Sequence, residues 1–196
     1  GYKRQRYDYG RQGTDPYNDV FWGRLQPYAA YVPPEHDPME PAPMTLLLHS
    51  LGCNYNEYGV FMPGLVESIG KEQDSIVLMP QARGPGRWYR KEGEVDVFEA
   101  WRDLETRYEI DRDRVTVAGY SMGGFGTQIL SAKYPDLFGR GFSVVAPPSE
   151  DPIEGPTNGL LRSPPLLTQG LLGGRGGGEF LTLFTSHQEN AMDLSD

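Results

Sequence analysis

The sequence predicts an α/β protein in which helices flank a mainly parallel central sheet. Strands that are buried on both faces of a parallel sheet appear as continuous apolar runs rather than as alternating ones. The chain contains four such runs, and helix-forming segments separate them, which is typical of βαβ units. The four runs are TLLLH (45–49), SIVLMP (75–80), VTVAGYS (115–121) and GFSVVAPP (141–148).

Helices are predicted between these strands. One covers 56–69, and a second covers 95–109, where apolar residues recur at helical offsets on one face. A third follows Ser121 and must end before Pro135, because the residue preceding a proline avoids the helical region. A short β-like run at 26–33 and loops at 35–43 and 81–94 complete this part of the chain. The apolar helix faces consist of Val97, Phe98, Trp101, Leu104 and Tyr108, and of Met122, Phe125 and Ile129.

The two ends of the chain carry weaker patterns. Residues 1–25 show no helical or strand period, and we expect an irregular N-terminal arm there. Residues 26–196 are predicted to form a single domain. Within that domain, 147–165 is loop-like, LLTQGLLGGRGGGE (166–179) shows no convincing strand, and FLTLFTSH (180–187) is interpreted as a last strand.

Composition limits the classes of partner. The net charge of −9 over 196 residues argues against binding to nucleic acid or to an anionic membrane. No apolar run approaches the length of a membrane-spanning helix. The single Cys53 excludes an intrachain disulfide and leaves the redox compartment open. Because the sequence starts at Gly1 rather than Met, we expect a processed chain from which an export signal could have been lost.

The stretch GYSMGG (119–124) is the strongest candidate for a catalytic motif. Gly119, Ser121 and Gly123 fit the pattern G-x-S-x-G, in which a strained turn between strand and helix presents the serine hydroxyl. A strand is predicted before this turn and a helix after it, as the motif requires. The alternative is a purely structural strand–helix turn. We interpret Ser121 as a candidate nucleophile.

A nucleophilic serine needs an oxyanion hole, which two backbone N–H groups can supply. The first is expected from Met122, the residue after the nucleophile. The second is expected from the loop that follows the strand at 45–49, and Leu51 is our candidate. His49, at the end of that strand, could act as a base, but a role in organising the loop is favoured.

These segments resemble the α/β-hydrolase superfamily, and in particular esterases similar to polyhydroxybutyrate depolymerases and feruloyl esterases. The similarity rests on TLLLHSLGCN, IVLMPQARGPGRWY and YEIDRDRVTVAGYSMGGFG, which occur in the family order. It implies hydrolysis of carboxylic esters through an acyl-enzyme, with a small-molecule or polymeric ester as substrate. His49–Ser50 departs from the usual His–Gly of the family. The C-terminal part is shortened relative to the usual fold.

In this fold the triad order is serine, acid, histidine. Of the three histidines, only His187 follows Ser121, and it lies where the family places its base. The family acid normally follows a strand between the serine helix and the histidine strand. In this chain the segment directly before the histidine strand, 166–179, contains no Asp. The remaining candidates are Asp151, as the best guess, and Glu150 and Glu179. Asp193 follows the histidine and is therefore in the wrong order.

Further residues near the predicted site have open roles. Trp88 and Tyr89 lie in a Gly/Pro-rich loop after the second buried strand, where aromatic rings could stack on an acyl or aromatic group of the substrate. Ordinary packing is the alternative for both. Cys53 is interpreted as a plain buried thiol. The sequence predicts no metal and no cofactor. The alternatives to an esterase are a serine peptidase of the same fold and a non-catalytic hydrolase-like protein without a complete triad.

Overall fold

The computed structural model describes residues 25–146 throughout and, outside that range, the backbone of two short strands at 2–4 and 166–168. These described residues form seven strands and four helices. In chain order they are β1 (Tyr2–Arg4), β2 (Tyr28–Tyr31), β3 (Ala42–Leu48), α1 (Glu57–Phe61), α2 (Pro63–Gln73), β4 (Ile76–Pro80), α3 (Glu92–Glu105), β5 (Ile110–Tyr120), α4 (Met122–Lys133), β6 (Arg140–Val144) and β7 (Leu166–Thr168).

The strands form one sheet in the order β1-β2-β4-β3-β5-β6-β7. The strands from β4 to β7 along this order run parallel to one another, whereas β2 is antiparallel to β4 and β1 is antiparallel to β2. All four predicted central strands are present, and helices separate them along the chain. The predicted mainly parallel sheet with flanking helices is therefore confirmed.

Each face of the sheet has its own core. On one face, the apolar residues of α3 and α4 pack against β3, β4 and β5; Val97, Trp101, Leu104 and Leu130 belong to this cluster. On the other face, α1 and α2 contribute a smaller cluster with β2, β3 and β4. Continuous apolar strands are required because both faces of the central strands are covered.

Prolines explain two differences between the predicted and the observed elements. The helix expected over 56–69 is two helices, which break at Met62, where the backbone has φ −137 and ψ 50. Pro63 follows Met62 and disfavours the helical conformation at that residue. The loop expected over 35–43 ends at residue 41, and β3 begins at Ala42. Pro43 is tolerated there because the register with β5 shifts between Ala42 and Met44.

Two strands occur in segments for which none was predicted. β1 lies within the segment 1–25, which was expected to be irregular, and it extends the antiparallel edge next to β2. β7 lies in 166–179, where no strand was predicted, and it pairs parallel with β6. Neither strand was predicted, because three residues are too few to show a period and pairing with a neighbouring strand defines the element. The division at residue 25 and the single domain stay predictions.

Helices α1 and α2 leave part of their face of the sheet uncovered by other described residues. A groove of about 880 Å³ runs over β3, β5 and β6 beside α2. Phe142 is 38% exposed there and Tyr120 is 47% exposed. In the part of the chain that the structure describes, no helix is long and apolar enough to cross a membrane.

Candidate active site

Ser121 lies in the sharp turn between β5 and α4, in a strained backbone conformation. Its φ is 54 and its ψ is −115, values that a residue with a side chain rarely adopts. The Ser121 N–H donates to the carbonyl oxygen of Val144 at 2.9 Å, and its own carbonyl oxygen accepts from Phe125 N at 3.0 Å. The turn is therefore held by β6 on one side and by the first turn of α4 on the other.

Glycines on both sides of Ser121 permit this turn. A β-carbon on Gly119 would lie 2.4 Å from the carbonyl carbon of Gly123. A β-carbon on Gly123 would lie 1.9 Å from the carbonyl oxygen of Leu48, at the end of β3. Both distances are far below van der Waals contact. The two glycines of G-x-S-x-G are thus required by close approach of backbone to backbone.

The ends of β3 and β5 are adjacent, so the loops that follow them lie at the same edge of the sheet. Leu48 pairs with Gly119 in the register of the two strands. The hydroxyl of the buried Tyr58 joins them further: it donates to Leu48 O at 2.9 Å and accepts from Tyr120 N at 3.1 Å. This arrangement brings the loop after β3 next to the turn that holds Ser121.

Met122 is fully buried and is the first residue of α4. The first N–H groups of a helix have no partner within the helix, and the helix dipole adds a partial positive charge at that end. The predicted first oxyanion donor therefore lies where an N–H group is available for a developing negative charge.

The loop after β3 is a tight turn over residues 50–53. Cys53 N donates to Ser50 O at 3.1 Å, and Gly52 has φ 80, as expected at the third position of a type II turn. The N–H of Gly52 donates to Pro85 O at 2.9 Å, and that of Ser50 donates to the Glu57 carboxylate at 2.6 Å.

The N–H of Leu51 takes part in none of the hydrogen bonds that hold this turn. Leu51 is 41% exposed, and its role as the second oxyanion donor stays a prediction.

His49 is buried, and both of its ring nitrogens face backbone carbonyl groups. Nδ1 lies 3.0 Å from Ser50 O and Nε2 lies 2.9 Å from Gln81 O. Burial lowers the pKa of His49, although the two carbonyl groups and the charge of Glu57 act against this. The ring thus links the oxyanion loop to the loop after β4. This geometry favours a loop-organising role over a role as base.

The loop after β4 is strained and packs against the serine turn. Positive φ values occur at Ala82, Arg83, Trp88, Tyr89 and Lys91, and such clusters are characteristic of functional sites. The buried Tyr89 donates its hydroxyl to His49 O at 2.8 Å.

Trp88 is half-buried, and its ring meets the ring of Phe125 edge-on at 5.2 Å. Phe125 lies one helical turn after Ser121, so Trp88 is positioned beside the nucleophile turn. Arg90 covers the same Phe125 ring, with its guanidinium carbon 4.9 Å from the ring centre.

Two further titratable groups flank the site. Cys53 is half-buried, and burial raises the pKa of its thiol, with the charge of Glu57 acting in the same direction. That environment disfavours a thiolate. Asp96 on α3 is buried under the strained loop, and burial raises the pKa of its carboxyl to about 7 despite the nearby Arg83.

Several predicted residues lie outside the described part of the chain. They are His187, the expected base, and the three candidate acids Asp151, Glu150 and Glu179. Their roles stay predictions. Within residues 25–146, no group of three or more His, Cys, Asp or Glu side chains could hold a metal ion.

Comparison with known proteins shows which proteins have a similar fold and sequence. A family model described as the prolyl oligopeptidase family matches residues 71–148, which include Ser121. Among solved structures, an S-formylglutathione hydrolase of Staphylococcus aureus superimposes with a TM-score of 0.67, covering 96% of this chain and 86% of that one at 17% identity. The chain therefore has the α/β-hydrolase fold.

Two further proteins are similar to this chain. A ferulic acid esterase of Anaeromyces mucronatus, solved with ferulic acid, superimposes with a TM-score of 0.62 at 16% identity, covering 96% of this chain and 79% of that one. The poly(3-hydroxyalkanoate) depolymerase C of Paucimonas lemoignei is 27% identical over 120 residues, which are 55% of this chain and 28% of the depolymerase. The chain covers less than a third of the length of the curated relatives that it matches. These similar proteins are hydrolases that act on esters or thioesters, as their names state.

The sequence indicated Tyr89, beside Trp88, as an aromatic residue near the site, but it did not single out Glu57 and Tyr58. Glu57, Tyr58 and Tyr89 each bind the end of β3 or the loop after it, through bonds that span 7 to 40 residues. No local motif encodes such bonds. The only signal was the position of Tyr89 next to Trp88 in a loop expected at the site.

Proposed function

We propose that this protein is a serine hydrolase that cleaves carboxylic esters through an acyl-enzyme on Ser121. The single observation that carries the proposal is the strained backbone of Ser121, with φ 54, at the end of the central strand β5. Strain of this kind costs stability and persists where the surrounding structure enforces it. In a nucleophile elbow this conformation presents the serine hydroxyl at the edge of the sheet. The loop after β3 lies at the same edge.

The proposed reaction proceeds in two halves. His187 takes the proton of the Ser121 hydroxyl as Oγ attacks the ester carbonyl carbon, and the carbonyl oxygen becomes an oxyanion. The N–H groups of Met122 and Leu51 donate hydrogen bonds to that oxyanion. Collapse of the tetrahedral intermediate expels the alcohol, which receives the proton from His187. Water, activated by the same imidazole, then hydrolyses the acyl-enzyme.

Strand β7 bears on the choice of the triad acid. It supplies the strand between the serine helix and the predicted histidine strand, and the family acid follows such a strand. The residues directly after Thr168 are Gln169 and Gly170, and Glu179 is the first carboxylate beyond them. Asp151 instead follows β6. Glu179 and Asp151 are both candidates for the acid. If neither acts as the acid, we expect slow ester hydrolysis.

The substrate proposed is a small-molecule or polymeric ester. Two of the similar proteins point to this class: one structure contains ferulic acid, and one relative is a poly(3-hydroxyalkanoate) depolymerase. Trp88 is the residue proposed to contact the acyl or aromatic group, because its half-buried ring lies beside Phe125 of the serine helix.

A serine peptidase is the second candidate, since the family model that matches around Ser121 is that of the prolyl oligopeptidases. Turnover of p-nitrophenyl acetate compared with a matched p-nitroanilide separates the two functions. We expect the ester to be cleaved faster, because its better leaving group tolerates an imperfect acid–base pair. Anilide turnover equal to or above ester turnover would favour the peptidase. If wild type and Ser121→Ala turn over both substrates at the same rate as the uncatalysed reaction, the protein is non-catalytic.

A further inference from the structure

The Ser50 side chain, which replaces the glycine usual in this family, is held by Glu57. The backbone N–H of Ser50 donates to Glu57 Oε2 at 2.6 Å, and the Ser50 hydroxyl donates to Glu57 Oε1. One carboxylate thus accepts two bonds from one residue. Ser50 has no positive φ, so the backbone does not require a glycine at this position. The serine therefore adds an anchor to the loop rather than a distortion.

The second anchor of Ser50 is its carbonyl oxygen. It accepts from Cys53 N at 3.1 Å and lies 3.0 Å from His49 Nδ1. This carbonyl belongs to the same planar peptide unit as the N–H of Leu51, and in a trans peptide the two point in opposite directions. Fixing the direction of Ser50 O therefore fixes the direction of the Leu51 N–H.

We infer that Glu57 is a positioning residue for the oxyanion donor of Leu51, an inference that rests on the proposed function. Bonds to the N–H, the hydroxyl and the carbonyl of Ser50 leave that residue little freedom to rotate. Without the carboxylate, the carbonyl bonds alone would hold the Ser50–Leu51 peptide, and its N–H could swing away from the oxyanion. Oxyanion stabilisation depends on donors that are aligned before the charge develops.

The charge of Glu57 makes this role distinguishable from an electrostatic one. A negative carboxylate near a developing oxyanion opposes it, so the ionised group brings no electrostatic benefit to the transition state. A glutamine at position 57 could accept from the Ser50 N–H and donate to the Ser50 hydroxyl. It would preserve the geometry and remove the charge. Positioning therefore predicts rescue by Glu57→Gln, whereas a requirement for negative charge predicts none.

The test compares wild type with Glu57→Ala, Glu57→Gln, Ser50→Ala and the control Glu67→Ala. Glu67 is an exposed carboxylate on α2 that pairs with Lys71, so its removal leaves the loop intact. For p-nitrophenyl acetate we expect Glu57→Ala to lower kcat about 10- to 100-fold, less than the roughly 10²- to 10³-fold loss of a whole oxyanion donor. Glu57→Gln should stay within about threefold of wild type, and Ser50→Ala, which keeps the N–H bond, should fall between them.

A second readout separates positioning from a general loss of structure. A trifluoromethyl ketone forms a tetrahedral adduct with a reactive serine and places an oxyanion in the hole. Its affinity should fall by the same factor as kcat/KM across the variants, while KM for the ester stays nearly constant. If Glu57→Ala does not fold, Ser50→Ala carries the same comparison.

The outcomes distinguish this inference from the proposed function. Wild-type turnover together with unchanged kcat and ketone affinity in folded Glu57→Ala would overturn the role of Glu57 alone. Loss of activity in Glu57→Gln equal to that in Glu57→Ala would also overturn it, because charge and not geometry would then matter. Wild-type protein without turnover would contradict the proposed function, and the inference would fall with it.

Discussion

Gly123 faces Leu48 so closely that a β-carbon on Gly123 would lie 1.9 Å from the Leu48 carbonyl oxygen. The first turn of α4 therefore rests directly on the end of β3. This contact joins the turn that holds Ser121 to the strand that leads into the oxyanion loop. The relative position of the nucleophile and the second oxyanion donor depends on it.

Replacement of Gly123 by alanine should destabilise the protein by about 3 kcal/mol or more, because a backbone carbonyl would have to move. Gly64→Ala is a matched control: Gly64 is also the second residue of a helix, and nothing lies within 4 Å of its would-be β-carbon. That change should be neutral or stabilising by up to about 1 kcal/mol. Urea unfolding measures both. Equal stability of the two variants would show that the contact is not as close as described.

A pH-dependent stability is expected from Asp96. Burial raises its pKa from 3.8 to about 7 in the folded state, so the folded protein binds the proton more tightly than the unfolded chain. The stabilisation is complete below about pH 4 and is lost as the pH rises towards 7. Asp96→Asn should therefore gain stability relative to wild type, by about 1 to 3 kcal/mol more at pH 8 than at pH 4.

Glu99 provides the control for this experiment, since it also binds Arg83, but its side chain is 57% exposed. Glu99→Gln should change the free energy of unfolding by less than about 0.5 kcal/mol at either pH. A difference between Asp96→Asn and wild type that does not vary with pH would show that Asp96 is ionised in the folded protein over the whole range.

Removal of His187 tests the proposed base. His187→Ala should lower kcat/KM for an activated ester by about 10³-fold or more, because the members of a triad act as a unit. His36→Ala serves as the control, since His36 packs near Tyr108 on the α3 side of the sheet. If His187→Ala keeps most of the activity, the assignment is wrong and His49 becomes the next candidate.

The triad acid can be identified by neutralising each candidate in turn. Loss of a triad carboxylate can lower the rate about 10⁴-fold. Asp151→Asn, Glu150→Gln and Glu179→Gln should therefore include one strongly impaired variant if the triad is complete. Three unimpaired variants, together with slow wild-type turnover, would indicate that His187 acts without an acid.

The central strands were predictable from sequence because burial on both faces leaves a continuous apolar run, as in TLLLH and SIVLMP. The start of β5 was not predictable, because residues 111–114 are all charged although the strand begins at Ile110. Of these four, Arg112, Asp113 and Arg114 are exposed. β1 and β7 were missed for a related reason: pairing with a neighbouring strand defines them, and three residues show no pattern.

The candidate site was predictable only where a local motif encodes it. G-x-S-x-G indicated the turn at Ser121 because close backbone approach requires its glycines. The hydrogen bonds of Glu57 to Ser50 and of Tyr58 to Leu48 and Tyr120 have no such motif, because they depend on how separate elements pack. His187 and the acid depend on the part of the chain beyond residue 146, which the structure describes only at β7.

The most direct test of the proposed function is labelling with a fluorophosphonate probe, followed by mass spectrometry of the modified peptides. A serine activated in this turn should react at its Oγ, and the adduct should map to Ser121 in wild type and be absent from Ser121→Ala. This result is expected even if the triad acid is weak, because the probe requires only an activated and accessible hydroxyl. An adduct on another residue, or no adduct on protein shown to be folded, would contradict the assignment of Ser121 as the nucleophile.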